Sequence, residues 1–244
     1  MVTTMEMWDE FMNRPSVECL DLFGDEYKKS GESSDLYNHN LVLLDIGNWK
    51  RAKINCETII KKSEHTCDAD FIKMGMLEWF LHNTSSAIDF WKQALNAEYT
   101  DLVGPIDGPL VLWYAGLQLD DDKLIRSSLK KLKRFWKVTE YRKIVKWPGT
   151  QAIAGFLLGE VPAEDFLNKW KVSNDIYEHR RLCRANFWVG MTLLGSSEDK
   201  AIQHFKAAFS ENKIAILQYE YFLAKWEYAR LTKQNLWSDK KIEE

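Results

Sequence analysis

The residues best able to do chemistry in this 244-residue sequence are few and scattered. Cys56, His65 and Cys67 fall within twelve residues, and thiolate and imidazole ligands at such spacing could hold zinc. A packing position on a helix accounts for Cys56 equally well, so no metal-ligand set is assigned and no cofactor is expected. The five histidines, His39, His65, His82, His179 and His204, form no HExxH pair. There is no GxSxG, no GxxxxGK[ST] and no GxGxxG, which removes the nucleophile elbow and the familiar phosphate-cradling loops. Glu160 with Glu164, and Glu220 with Glu227, stand at helical spacing. General acid–base chemistry could use such pairs, but helices produce them routinely. No catalytic residue is assigned, and the expectation is a protein that is not an enzyme.

Charge is more informative. Between Lys123 and Lys146 lie ten Lys or Arg against one acid, Glu140, about nine net positive charges in a chain whose total is -3. On a helix, Arg126, Lys130, Lys133, Arg134 and Lys137 share a face, which could meet an acidic protein or a phosphate backbone. The plainer reading is a solvated outer helix that offsets the acidic N-terminal region. Asp120, Asp121 and Asp122 immediately before it suit a helix N-cap better than a metal. With a pI near 6 and no nucleic-acid reader motif, nucleic-acid binding is the lesser alternative.

The elements that must carry these residues repeat. After Gly47, Ala52, Cys56 and Ile59 fall at the offsets of a helix–turn–helix; Ala87, Trp91 and Ala94 repeat them, with Gly75 at the small site of the first helix and 35 residues from Ala52 to Ala87. Gly116, Ser128, Leu132 and Phe135 form a third copy at a spacing of 41, after a loop lengthened by GPIDGP. The fourth keeps Gly155 but places Leu167 where a small residue belongs. The fifth, with Gly190, Ala201, Phe205 and Ala208, is clear again, 34 residues from Leu167 to Ala201. Small residues at fixed offsets let paired helices approach, and the large ones between them fill the gap to the next pair.

On these residues the chain resembles the tetratricopeptide-repeat (TPR) family, whose period is about 34 residues. Its closing repeat, RANFWVGMTLLGSSEDKAIQHFKAAFSEN followed by EYFLAKWEYARL, is also similar to the last repeat of bacterial TPR outer-membrane lipoproteins, which act as envelope adaptors. The signal peptide and lipid-acceptor cysteine of those proteins are not seen, so their location is not carried over. The resemblance implies an all-α, right-handed α-solenoid of four to five helix pairs near residues 36–66, 68–98, 109–138, 148–172 and 184–210, with an amphipathic capping helix over 214–234. In this family the first helices line a concave surface where a partner docks. The positions it implies here are Tyr37, Asn38, Lys73, Met76, Trp79, Trp113, Tyr114, Arg184 and Trp188. The tryptophans could instead pack between helices, whereas Tyr37, Asn38, Lys73 and Arg184 are expected to stay reachable.

Residues 1–35 fit no repeat and are expected to form an acidic helical lead-in, partly mobile, ahead of a solenoid domain over 36–236 and a fraying tail from Trp237. No basic n-region with an apolar run opens the chain, no stretch approaches the about 18 apolar residues of a membrane span, and four sparse cysteines suggest no disulfide framework. These features predict a cytoplasmic protein. The function the resemblance implies is non-catalytic protein binding as adaptor, chaperone or inhibitor, including the neutralising of a bacterial toxin as an immunity protein or the binding of an envelope or secretion component. An enzyme with its site in the groove is the alternative of a different class.

Overall fold

Local capping shows how the sequence builds its helix pairs. The computed structural model describes residues 4–63, 67–98, 106–137, 150–168, 176–210 and 213–237, and every element among them is a helix. After a lead-in of α1 (Thr4–Asn13), a short 3₁₀ turn (Ser16–Cys19) and α2 (Leu20–Ser30), the pairs begin with α3 (Ser33–Asp45) and α4 (Trp49–Lys62). They continue with α5 (Asp68–Phe80) and α6 (Thr84–Ala94), then α7 (Asp107–Gln118) and α8 (Asp122–Lys137). In all three the first helix ends on a residue of positive φ, Gly47 (80°), His82 (63°) or Asp120 (53°). The next backbone N–H then returns to a carbonyl of the last turn: Asn48 to Leu43, Asn83 to Glu78 and Asp121 to Gly116, at 2.8 to 2.9 Å. This 6→1 closure satisfies carbonyls the helix leaves open and reverses the chain in a few residues. Asp121 then caps α8 by accepting from Leu124 N–H at 2.9 Å, so the acidic triplet supplies an N-cap.

The pairs close because the crossings are made of small residues. Ala52, Ala87 and Ala201 have no exposed surface and Ser128 has 1%. In the second, third and last pairs the first helix brings a glycine to the crossing. A Cβ on Gly75 would overlap the Trp91 indole, whose Nε1 donates to the Ile72 carbonyl at 3.1 Å, and a Cβ on Gly190 would stand 2.7 Å from the Phe205 ring. The fourth pair, α9 (Thr150–Leu157) and α10 (Ala163–Asn168), departs from this rule. Its Gly155 meets Trp136 of α8 as well as Val161, so its small site also serves the preceding pair. Leu167 at the large-for-small position goes with a second helix of only six residues. The last pair is α11 (Ile176–Leu193) with α12 (Glu198–Ser210). Helix α11 starts about two turns earlier than the repeat pattern predicts.

Two expectations are corrected. The lead-in is part of the core: Met7, Phe11, Cys19, Leu20 and Phe23 are buried in the same apolar cluster as the repeats, and Trp8, Phe11 and Phe23 meet edge to face at 5.5 to 5.7 Å. The capping segment divides into a 3₁₀ turn (Lys213–Leu217) and α13 (Tyr219–Thr232). Helix α13 is buried on several sides, with Glu220, Tyr221, Phe222, Leu223, Ala224, Glu227 and Ala229 all enclosed, so it is not the one-faced amphipathic cap. Trp237 packs against Trp49 at 5.0 Å and Trp226 at 6.1 Å; the rest of the tail lies outside the described residues.

Candidate functional site

Helix α13 occupies the inner side of the stack. Its side chains reach the first helices of all four clear pairs, held by polar groups that find their partners only there. Tyr221 and Lys225 bond Asp45 at the end of α3, both at 2.9 Å, and Ser16 donates to the same carboxylate from the lead-in at 2.5 Å. Trp226 stacks on Phe80 of α5 at 4.9 Å. Glu227 accepts from Tyr114 of α7 at 2.7 Å and is gripped by Arg230 of its own helix. Glu220 accepts from Arg184 of α11 at 2.7 Å and from Trp188 at 3.2 Å. Burial opposes the charge of Asp45, but Lys225, Ser16 and Tyr221 hold its carboxyl below the ordinary value. Burial raises Glu227, with Arg230 and Tyr114 only partly offsetting it.

Where α13 begins, the inner face stays open as a cavity with about 540 Å³ of empty space, including the part that opens to solvent. Tyr37 of α3 and Asp68, Ala69, Ile72 and Lys73 of α5 form one side. Asp107 of α7, Arg180 and Arg184 of α11, and Leu217, Gln218 and Tyr219 form the other. Lys73 Nζ lies 3.2 Å from the centroid of the Tyr37 ring, a cation–π contact in a partly dry site. Asp107 Oδ1 accepts from Arg184 Nη2 at 2.6 Å and from the Tyr219 hydroxyl at 3.2 Å. Burial works against the Arg184 charge, but Asp107 and Glu220 hold its pKa well above the usual value. Burial and the neighbouring Asp107 push the Tyr219 phenol up. Arg180 donates Nη2 and Nε to the Gln218 carboxamide oxygen at 2.6 and 2.7 Å with that amide oriented to receive them. Asp68 turns one oxygen to the Ala69 N–H at 2.8 Å. The cavity thus has an apolar floor, walls of both charges, and carboxylates already engaged.

Of the nine inner-face positions expected from the sequence, this cavity gathers Tyr37, Lys73 and Arg184. Lys73 and Arg184, expected to be reachable, are buried at 8% and 6% exposure, the Lys73 ammonium over the Tyr37 ring and the Arg184 guanidinium paired with Asp107 and Glu220. Asn38 is half-buried beside Tyr37 but does not line the cavity. Met76, Trp113, Tyr114 and Trp188 are buried between helices, and Trp79 is half-buried against Trp91 and Tyr114, so the tryptophans do pack in the core. Helix α13 covers Tyr114 and Trp188 directly, through Glu227 and Glu220, while Trp79 and Trp113 pack on other rings of the stack. The sequence reading missed Arg180, Asp107, Gln218 and Tyr219. A signal existed for Arg180, which precedes Arg184 by one helical turn. None existed for the placement of α13, whose polar contacts with α3 and α7 join residues more than 100 apart, as Tyr114 to Glu227 shows.

Elsewhere the sequence candidates have ordinary surroundings. Cys56 accepts from Asn40 Nδ2 at 3.0 Å and is pushed up to about 12 by burial, which makes it inert. Among the described residues no group of three His, Cys, Asp or Glu side chains could hold a metal ion; His65 lies outside them. Arg126, Lys130, Lys133, Arg134 and Lys137 are all exposed on α8. Arg142, Lys143 and Lys146 of the same basic segment lie outside the described residues. No helix among the described residues is long and apolar enough to cross a membrane.

These features define an all-α helical-repeat protein built of TPR-like pairs. No family model matches the chain, and no curated protein matches it. Among solved structures it is similar to the C-terminal part of a TPR repeat-containing protein from Cytophaga hutchinsonii, at 13% identity and TM-score 0.43 over 95% of this chain and 96% of that one. It is also similar to a chain in the structure of Naa15/Naa10 bound to HypK-THB, at 16% identity and TM-score 0.41, covering 94% of this chain and 35% of that one.

Proposed function

We propose that this chain is a non-catalytic scaffold that holds a segment of another protein at the mouth of its inner groove. The observation that carries the reading is the convergence of Tyr37, Lys73, Arg180 and Arg184, from three helices distant in sequence, on one half-open cavity. Partner segments dock through a few aromatic and arginine anchors, and these are the side chains present. The buried Met76, Trp113, Tyr114 and Trp188 and the half-buried Trp79 act in this reading as the wall that fixes the anchors, and Asn38 contributes at the rim. The lead-in and the solenoid work as one unit.

The finer assignment is an inhibitor, of the kind an immunity protein provides against a toxin inside the cytoplasm. A site in which Arg184 is paired and Lys73 is buried over Tyr37 before the partner arrives loses little freedom on binding, which suits one tight partner better than many loose clients. The test uses the partner captured from the native host and then purified. Tyr37→Ala and Arg180→Glu, both at half-exposed positions, are each expected to weaken binding by about 2 kcal/mol, roughly thirtyfold, with an unchanged melting curve. Wild-type affinity in both variants would remove the cavity from the interface.

A further inference from the structure

Helix α8 carries seven Lys or Arg and one Asp in a chain of net charge -3, which leaves about nine net negative charges on the rest of the molecule. Its apolar side faces inward: Ser128 and Leu132 are buried, and Leu124, Ile125, Leu129, Phe135 and Trp136 pack on the core. On the opposite side Lys123, Arg126, Lys130, Lys133 and Lys137 are all exposed and follow one another at steps of three, four, three and four, with Arg134 beside them. At 3.6 residues per turn these positions fall within an arc of about 100°, and at 1.5 Å per residue the row is about 21 Å long. Among the described residues the row makes one ion pair, Arg126 to Asp122 at 3.8 Å, so most of its charge meets solvent.

We infer that this row docks an α-helix of a partner protein that carries Asp or Glu at the same three–four spacing over about four turns. The alternation keeps the cations on a nearly straight line, the geometry in which two helices lie side by side with small crossing angle. Carboxylates at matching spacing would meet each cation in turn, whereas irregular loops would meet only some. Nucleic acid suits the surface less well. Among the described residues the exposed face of α8 offers no aromatic ring for base stacking, since Phe135 and Trp136 are partly buried against the core. The net negative charge of the rest of the molecule also opposes a long phosphate chain. This surface is separate from the groove mouth, so each can fail alone.

The test is fluorescence anisotropy on the full chain with three labelled probes. They are a helical peptide of about 20 residues with Glu at three–four spacing among neutral residues, a scrambled peptide of the same composition, and a single-stranded oligo-dT of about 20 nucleotides. The spaced peptide is expected to bind at least about tenfold more tightly than the other two, and Lys130→Glu with Lys133→Glu to weaken it by about thirtyfold or more. Tyr37→Ala is expected to leave this binding unchanged, which separates the result from the fate of the cavity. Equal affinity for the scrambled peptide, tighter binding of oligo-dT, no binding of the spaced peptide, or survival of its binding in the charge-reversed chain would each overturn the inference.

Discussion

Helices α8 and α13 both carry conspicuous charge, and the fold treats them in opposite ways. On α13 the acids are enclosed, and each is met by donors: Glu220 by Arg184 and Trp188 of α11, Glu227 by Tyr114 of α7 and by Arg230 of its own helix. On α8 the cations stand in solvent with one ion pair among them, Arg126 to Asp122. An enclosed charge that loses its partner is costly, so α13 is fixed in one register inside the groove. A solvated charge costs little to leave alone, so α8 can keep its row available for something outside. Charge in this molecule therefore positions an element where it is buried and stays available for binding where it is exposed.

The contrast is broken most strongly at Arg184. Arg184→Met would leave Asp107 and Glu220 enclosed without their cation and is expected to cost about 3 to 5 kcal/mol in urea unfolding, while Lys133→Met on α8 is expected to cost less than about 0.5 kcal/mol. Comparable losses from both would mean that burial does not divide the two helices. Next come the crossings that hold the groove wall. Ala87→Leu and Ala201→Leu overpack sites with no exposed surface and should each cost about 1 to 3 kcal/mol, read as a shift of the denaturation midpoint.

A smaller effect is expected from pH. Burial, then the charges of Arg51 and Lys28, lower the His39 pKa to about 4 from its ordinary 6.5. The folded chain thus keeps this imidazole neutral where the unfolded chain protonates it. The stability it supports is complete above about pH 6.5 and declines as pH falls toward about 4, by about 2 kcal/mol. His39→Gln should flatten that decline between pH 7 and pH 4.5. Asp45, whose carboxyl is held below its ordinary value, adds its own loss only at lower pH, so a His39→Gln chain as pH-sensitive as wild type over this interval would assign the dependence elsewhere.

The repeat pairs were legible in the sequence because a close crossing admits few residues: Gly75 and Gly190 abut Trp91 and Phe205, and no larger side chain fits. The same logic explains why Leu167 marked the irregular pair. The cavity was half legible. Tyr37, Lys73 and Arg184 follow from counting along first helices; Asp107 joins them from the start of α7, and Gln218 and Tyr219 only because the last helix returns to the inner face. That return carries no local signal, since Glu220, Lys225 and Glu227 read as surface charges until Arg184, Asp45 and Tyr114 are set against them.

The central claim is that α13 is an integral part of the groove rather than an end cap, and native-state hydrogen exchange followed by mass spectrometry tests it directly. An end cap frays on its own, whereas an enclosed helix opens only with the whole structure. Amides of Tyr221 to Ala229 are expected to exchange at the rate set by global unfolding, together with those of Leu110 to Ala115 in α7, and to speed up with the same denaturant dependence. Exchange of α13 that is faster than α7 and insensitive to denaturant would show that the helix leaves the groove while the stack stays folded, and would contradict the account.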